Sequence, residues 1–380
     1  MIYADSAATS RISERALQAM LPVLEDIYGN PSSIHASGQK AAAVLQTARE
    51  TIASCLNVSS KEICFTSGGT ESDNQAILSS AFYGKAAGKT HIVTSAFEHP
   101  AVLKTLKRLE TEGFQVTYLP VSEKKTILAS DVENALRPDT CLVTVMAANN
   151  ETGALLPVSE IGKICRERGV LFHTDAVQAA GHIPLDIPHL GCDLLSLSAH
   201  KFHGPKGVGV LYIRSGIPVR SLLTGGEQER GKRAGTENTA CIAGMAEALK
   251  ESCERMNMDM SGILSMKNRL ISGLLSIPGS HLNSEAGPSL PGIVNVRFDH
   301  TDAESMLLLL DSRSICASSG SACQAGSLDP SHVLLSLGLS EEEARSSLRF
   351  SLSRYNTEEE IDIIVRETKD AVSRIRKSRL

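Results

Sequence analysis

The feature that most constrains this chain is an alternation. From Gln39 to Ile213, short apolar runs trade places with segments of helical apolar spacing. "QKAAAVLQTARETIASCL" has helical spacing, "EICFTS" is a short apolar run stopped at Gly68-Gly69, and "ESDNQAILSSAFYGKA" reads as the helix that follows. The pattern continues with "HIVTS" as a strand, "AVLKTLKRLETEG" as an amphipathic helix ending at Gly113, and "FQVTYLP" as a strand. "SDVENALR" reads as a helix opened by a capping box, Ser130 with Glu133. "TCLVTVM", "VLFHTDA", "DLLSLS" and "GVGVLYI" read as strands, with "VSEIGKICRERG" as a helix between the first two. Such spacing predicts an α/β domain, a mostly parallel sheet with helices on both faces. Function in such sheets gathers in the loops after the C-terminal ends of strands. Gly68-Gly69-Thr70, Glu98-His99, Asn149-Asn150-Glu151, Asp175 and Ser198 to Lys201 all fall there.

The pattern changes after about residue 250. "CERMNMDMSGILSMKNRLISGLLSI" reads as a long helix, a bridge between domains. "GIVNVRF" and "SLRFSLSR" read as strands, "DAESMLLLLDS" and "PSHVLLSLGL" as helices, and Thr357 with Glu360 caps a final helix. This order predicts a smaller α+β domain. The division expected is a large domain over 14–255 and a small one from 1–13 and 256–380. The small domain carries a mobile cysteine loop at about 316–330.

The remaining composition narrows the function class. A net charge of −5 provides no broad basic field for nucleic acid. The N-terminus lacks a basic stretch followed by an apolar one, and no apolar run is long enough to span a bilayer, so neither export nor a membrane is expected. Nine cysteines without CxxC pairs argue against a disulfide framework or structural zinc and for a reducing cytoplasm. Cys55, Cys64, Cys141 and Cys241 sit in apolar stretches, as small core residues do.

Several residues carry possible chemistry. In "FTSGGTES" a Gly-Gly turn sets Thr70 at a helix start, an anion site if backbone N–H groups and the hydroxyl converge; a plain turn is the other reading. Ser198 and His200 add donors, and Gly235-Thr236 in "RGKRAGTENT" is a second Gly-Thr expected at a helix start. The Walker spacing is absent. Asp175 is either a helix cap or a carboxylate facing a cationic ring nitrogen. Lys201, in "LSLSAHKFHGPKG", is either a surface lysine or an amine that forms a covalent bond. A lysine Schiff base with an aspartate on a pyridinium nitrogen is the recurring pattern of pyridoxal phosphate. His99 is a loop histidine or a plate stacked on the ring and a proton shuttle. Cys323 lies among Ser, Gly and Ala in "CASSGSACQAGSLDPSH" with nothing apolar to bury it, so its thiolate is a candidate nucleophile. Cys316 is expected to pack in the small domain. Arg349, alternating with apolar residues in "SLRFSLSR", suits a substrate carboxylate; Arg354 competes but is expected to be more exposed.

These motifs resemble those of the cysteine desulfurases of the NifS/IscS type, within the class V aminotransferases. "GNPSSIHASGQ", "FTSGGTESDN", "EHPAV", "ANNETG", "HTDAVQAAG", "LSAHKFHGPKG", "GGEQERGKRAGTEN", "SSGSAC", "LDPSHVL" and "SLRFSLSRYNTEEEID" carry the resemblance almost end to end. The long stretch around "SSGSACQAGSLDPS" is similar to the group I branch. The resemblance implies fold type I, with a mostly parallel seven-stranded sheet in the large domain.

The resemblance also implies the roles. Lys201 would hold pyridoxal 5'-phosphate as an internal aldimine, His99 would stack on the ring, and Asp175 would pair its nitrogen. Gln178 and Asn150 would bond the ring oxygen or nearby substrate groups. Gly69, Thr70, Ser198 and His200 would bind the phosphate, and Thr236 would reach the phosphate of the other subunit of a homodimer. Arg349 with Asn150 would grip the carboxylate of L-cysteine, and Cys323 would accept its sulfur. The products would be alanine and a persulfide for an iron–sulfur scaffold or a tRNA-thiolation or cofactor-building enzyme. No resident metal is implied, Cys323 being at most a transient ligand of a nascent cluster. Selenocysteine lyases and other class V members share the cofactor site; a non-catalytic sulfur-relay scaffold would not need Lys201, Asp175 and His99 together. One departure stands out. The family opens near "YLDNAATT" and this chain has "YADSAATS", so Ala4, Ser6 and Ser10 are expected to change packing near the substrate mouth.

Overall fold

The computed structural model describes residues 1–122, 125–283, 287–320 and 329–378. The chain opens with β1 (Ile2–Tyr3), α1 (Glu14–Glu25) and α2 (Ala36–Leu56). The alternating region then runs β2 (Ile63–Thr66), α3 (Gly69–Ala86), β3 (His91–Ser95), α4 (Pro100–Thr111), β4 (Gln115–Leu119), α5 (Ala129–Ala135) and β5 (Thr140–Thr144). It continues as α6 (Val158–Arg168), β6 (Leu171–Asp175), α7 (Ile187–Leu190), β7 (Leu194–Ser198) and β8 (Gly209–Ile213). The remainder is α8 (Thr239–Leu275), β9 (Ser280–Leu282), β10 (Ile293–Phe298), α9 (Ala303–Asp311), β11 (Ile315–Cys316), α10 (His332–Ser336), α11 (Glu341–Arg345), β12 (Ser347–Ser351) and α12 (Glu358–Ser378).

Seven strands form one sheet in the order β2-β8-β7-β6-β5-β3-β4. The pairs from β7 through β4 are parallel. Only β8 runs against its neighbours. Because β2 and β7 are both antiparallel to β8, they point the same way. The C-terminal ends of β2, β3, β5, β6 and β7 therefore share one edge of the sheet, and β8 starts there. Gly209 is paired with both Thr66 and Ser198. That register brings the turn after β2 beside the end of β7.

The first apolar core joins α1, α2, the sheet and the first half of α8, through Ile242, Met245 and Leu249. A second core holds Ile263, Leu270 and Leu274 of the same helix against β10, β12 and α12, with Ala4. β12 and β9 flank β10 as an antiparallel sheet, and β1 pairs with β11. Among the described residues no helix is long and apolar enough to cross a membrane.

Two cap expectations have different outcomes. Thr357 Oγ1 accepts the Glu360 N–H and the Glu360 carboxylate accepts the Thr357 N–H, both at 3.3 Å, so the box on α12 forms. The box expected from Ser130 and Glu133 does not. α5 starts earlier, with Leu128 at its N-cap, and the Asp131 carboxylate accepts the Leu128 N–H at 3.0 Å. The carboxylate three residues after the cap supplies that bond without needing a hydroxyl at the cap.

A buried ion pair braces the edge of the sheet that leads to the Gly-Gly turn. Arg49 on α2 grips Glu229 with both terminal nitrogens, at 2.7 and 2.6 Å. Arg49 also donates to the Ile63 carbonyl, and Glu229 accepts the Phe65 N–H at 2.8 Å. Glu229 holds a left-handed backbone (φ 49°) to reach that position. Glu229→Ala would strand the buried guanidinium and free a strand N–H. A loss of about 3 kcal/mol is expected, read as a lowered urea midpoint of unfolding.

Candidate active site

A cavity of about 440 Å³ opens at the strand-end edge. Ten of the residues singled out from the sequence line it. They are Lys201, His99, Asp175, Gln178, Gly69, Thr70, Ser198, His200, Asn150 and Arg349. Residues far apart in the chain meet here because they stand at or after the ends of β2, β3, β5, β6 and β7, with Arg349 on β12.

The anion end is built by α3. Its N-terminal residues Gly69 and Thr70 face the cavity, so unsatisfied backbone N–H groups of the first turn point there. Gly68 precedes them with φ 150°, a conformation that side chains disfavour. A Cβ on Gly69 would come within 2.7 Å of Val177, so only glycine lets the turn close over that residue. Ser198 contributes its hydroxyl from β7. His200 lies in the short turn after β7; its Nδ1 is 3.2 Å from Thr9 Oγ1, and burial and Lys201 push its pKa down to about 4.

The cavity also carries a carboxylate. Asp175 ends β6, buried, and its Oδ1 accepts the Val177 N–H at 2.9 Å. It caps a turn, not a helix, and it lines the cavity. Burial pushes its pKa up to about 6, against the pull of that hydrogen bond and of Lys201. Lys201 Nζ donates to the Ala8 carbonyl at 2.9 Å and to the Ala7 carbonyl. Gln178 Nε2 donates to the Ala7 carbonyl at 2.9 Å. The N-terminal "SAATS" stretch therefore packs directly against the lysine.

His99 is the N-cap of α4. Its Nδ1 accepts the Ala101 N–H at 3.1 Å, ahead of Pro100 at the first helical position. With Nδ1 accepting, the ring proton sits on Nε2. Burial and the charge of Lys201 push the His99 pKa down to about 4, so the ring is neutral at ordinary pH. Arg349 is 1% exposed and donates to the Asn150 carbonyl at 2.9 Å and to Asp5 Oδ1 at 2.8 Å. Its Nε has no hydrogen-bond partner among the described residues. Arg354 does not line the cavity. It pairs instead with Glu251 and Asp259 of α8, 7% exposed at its side chain.

Two expectations change, the helix start at Thr236 and the place of the opening motif. Thr236 is exposed, lies outside the cavity, and is not at a helix start, because α8 begins at Thr239 with Asn238 as its cap. Asn238 accepts the Cys241 N–H and takes the position that Thr236 was expected to hold. The altered opening motif does not reach the mouth either. Ala4 is packed in the second core, and Ser10 Oγ is tied to the His200 carbonyl at 2.7 Å and the His203 N–H at 2.8 Å. Among the opening residues, Ala7, Ala8 and Thr9 line the cavity. Cys323 lies outside the described residues. Cys316 is half-buried on β11, while Cys64 and Cys141 are buried and Cys55 and Cys241 half-buried.

Two carboxylates at or behind the site, Asp5 and Asp73, are among the residues not singled out from the sequence. Asp5 pairs with Arg349 across a separation of 344 residues, which no local pattern reveals. Asp73 lines the cavity from α3 and is buried. Its signal was present: Asp73, Ala76, Ile77 and Ser80 share one helix face, so a carboxylate stands on a stripe that is otherwise core-like.

This arrangement has the parts of an amine-anchored cofactor site. The aminotransferase class-V family model matches residues 2–364. The chain belongs to the class V aminotransferases. Among curated relatives of this class V chain, the cysteine desulfurase IscS of Methanosarcina thermophila is 46% identical over 99% of this chain and 93% of its own length. The IscS cysteine desulfurase of Clostridium botulinum is 47% identical over 96% and 92%. Among solved structures, a NifS-like protein superposes with a TM-score of 0.92 at 38% identity, covering 98% of this chain and 99% of its own. A structure described as SspA in complex with cysteine has a TM-score of 0.83 at 37% identity, covering 94% and 100%. The fold is accordingly that of the fold type I transferases, and the family uses pyridoxal phosphate.

Proposed function

We propose that this chain is a pyridoxal-phosphate-dependent cysteine desulfurase. The observation that carries the reading is the convergence, in one cavity, of Lys201, a buried Asp175 and the N-terminus of α3. The described residues fit the cofactor at both ends. Backbone N–H groups of Gly69 and Thr70, with Ser198 and His200, suit a phosphate; Asp175 suits a protonated ring nitrogen; Lys201 supplies the amine. Pyridoxal phosphate, when bound, supplies an electron sink for the charge left on the substrate Cα.

The chain's own residues do the rest. Lys201 Nζ, positioned by the Ala7 and Ala8 carbonyls, anchors the cofactor and takes the Cα proton of L-cysteine. His99, neutral and carrying its proton on Nε2, would stand against the bound ring and could hand on a proton. Gln178 and Asn150 orient the ring oxygen and the substrate. Arg349 receives the substrate carboxylate with the edge that Asp5 and Asn150 leave open, and those two partners hold the guanidinium plane still. Cys323 takes the sulfur: its thiol and L-cysteine become a Cys323 persulfide and L-alanine.

The flanks of the Cys323 segment support that role. Ser318 and Arg349 exchange backbone hydrogen bonds at 2.6 and 3.1 Å. Ser331 Oγ donates to buried Glu151, next to Asn150, at 2.5 Å, and His332 bonds the carbonyl of Glu98, next to His99, at 2.9 Å. Both described ends thus sit against site residues. The reading includes a homodimer in which exposed Thr236 completes the partner's phosphate site. It also includes a cytoplasmic setting and, as sulfur acceptors, an iron–sulfur scaffold or a tRNA-thiolation enzyme. Its large domain is 14–255, and 1–13 with 256–380 form the small one.

The test is product formation. Reconstituted with pyridoxal phosphate and given L-cysteine and a reductant, the protein is expected to release alanine and sulfide in equal amounts. A protein that has taken up the cofactor and releases no alanine overturns the reading.

A further inference from the structure

α3 brings a second carboxylate beneath the cavity. Asp73 is one turn along from Gly69, so the helix that offers its N-terminus to an anion also carries this side chain down beside β6. An oxygen of Asp73, an oxygen of Asp175 and a ring nitrogen of His99 all lie within 4.8 Å of one another. Asp73 is 1% exposed, and its Oδ1 has no hydrogen-bond partner among the described residues. Two carboxylates this close and this dry do not both keep a full negative charge.

The surroundings decide which one holds the proton. From β6, His173 Nε2 lies 3.6 Å from Asp73 Oδ1, yet His173 is no cation: burial pushes its pKa down to about 3. Its ring nitrogens bond Thr144 at 2.8 Å and Ser196 of β7 at 2.9 Å. From the loop after β3, His99 is neutral, and buried Glu98, its own pKa pushed up to about 8 by burial, adds to the rise at Asp73. From the turn after β7, the charge of Lys201 acts on Asp175. Asp175 also accepts a backbone N–H, which favours its anion. Asp73 is thus the member held well above the usual carboxylate range, by burial first and by Asp175 second, against the pull of the Ser196 hydroxyl.

We propose that Asp73 is a positioning residue, a neutral carboxylic acid that keeps the pair's single proton so that Asp175 alone presents a negative charge to the protonated ring nitrogen of the cofactor. This rests on the pyridoxal-phosphate reading above. The proton stays on Asp73 and does not move in turnover; protonation turns an unpaired buried acceptor into a donor beside Asp175.

Asp73→Asn keeps a neutral donor, and Asp73→Leu keeps neutrality and bulk but cannot donate. In the holoenzyme at neutral pH, the infrared difference between wild type and Asp73→Asn is expected to show loss of a carboxylic-acid C=O band. The pH midpoint of the bound cofactor's visible absorbance should stay within about 0.3 unit of wild type in Asp73→Asn. In Asp73→Leu it should rise by about 1 unit, because Asp175 then takes up the proton and the ring loses its positive charge. Loss of a carboxylate band in place of the acid band would show Asp73 ionised and overturn the proposal. An unmoved midpoint in Asp73→Leu would do so too, leaving Asp73 a packing residue. Wild type that takes up no pyridoxal phosphate overturns the cofactor reading instead, and the infrared comparison on the apoprotein then still decides the charge of Asp73.

Discussion

Lys201→Ala is expected to lower alanine release from L-cysteine by about 10⁴-fold and to abolish covalent retention of the cofactor. Two losses combine in that figure. The amine that holds the carbonyl carbon of pyridoxal phosphate disappears, and so does the base at the substrate Cα. Borohydride reduction separates them from a folding defect. It should fix the cofactor to wild-type protein and fail to fix it to the variant, while both melt alike. The fold should tolerate the change. Lys201 is half-buried, follows β7, and its Nζ contacts include the backbone carbonyls of Ala7 and Ala8, which other donors or water can satisfy. Lys201→Arg restores the positive charge felt by Asp175 and His99 without a usable nucleophile, so it should bind cofactor reversibly and remain inactive. A Lys201→Ala variant within tenfold of wild type would sink the assignment of Lys201 as the anchoring amine.

Lys201 was legible because its signal is local. A polar residue stands at the end of an apolar run, in front of a Gly/Pro turn, and a parallel sheet brings strand ends together. The same logic located Asp175, His99 and Gly69–Thr70 on one edge before any coordinates. Strands such as His91–Ser95 were readable from their apolar runs and the turn signals beside them. What escaped depends on contacts between distant segments. The two-residue pair β1 and β11 has too little pattern to detect, and its strands are joined only by tertiary pairing. Asp5 was invisible as the partner of Arg349, since the pair closes a loop of nearly the whole chain. Asp73 was hidden among residues noted for resemblance rather than for burial. The misplaced cap at Ser130 shows the opposite failure: a local motif was present, and a carboxylate one position later at Asp131 was better placed to bond the earlier Leu128 N–H.

The opening motif illustrates how burial reassigns a departure. Ala4 replaces a larger residue of the family pattern, yet its side chain faces the second core rather than the substrate. Ser10 retains the hydroxyl that ties the N-terminal segment to the His200 carbonyl. The carbonyls of Ala7 and Ala8, which hold Lys201 and Gln178, belong to the unchanged part of the motif. The departures at Ala4 and Ser10 therefore leave the cavity lining of Ala7, Ala8 and Thr9 unchanged.

Cys323→Ala is expected to lower alanine release by about 10³-fold while leaving cofactor uptake and the absorbance change on adding L-cysteine intact. The magnitude follows from concentration. On the proposed reading, a thiol tethered by the chain acts at an effective concentration of at least about 1 M, whereas a reductant added to the assay is present at about 1 mM. With the thiol removed, the reductant becomes the only sulfur acceptor, so the residual rate should rise in proportion to its concentration. Wild type should instead show little dependence until release of the Cys323 persulfide is limiting. Cys316 does not substitute for it. Cys316 is half-buried on β11, paired with Tyr3, and burial with the nearby Asp311 and Asp5 holds its thiol pKa up, away from the reactive thiolate. A Cys323→Ala variant within tenfold of wild type, or one whose residual rate ignores added thiol, would assign the sulfur-accepting step to another group.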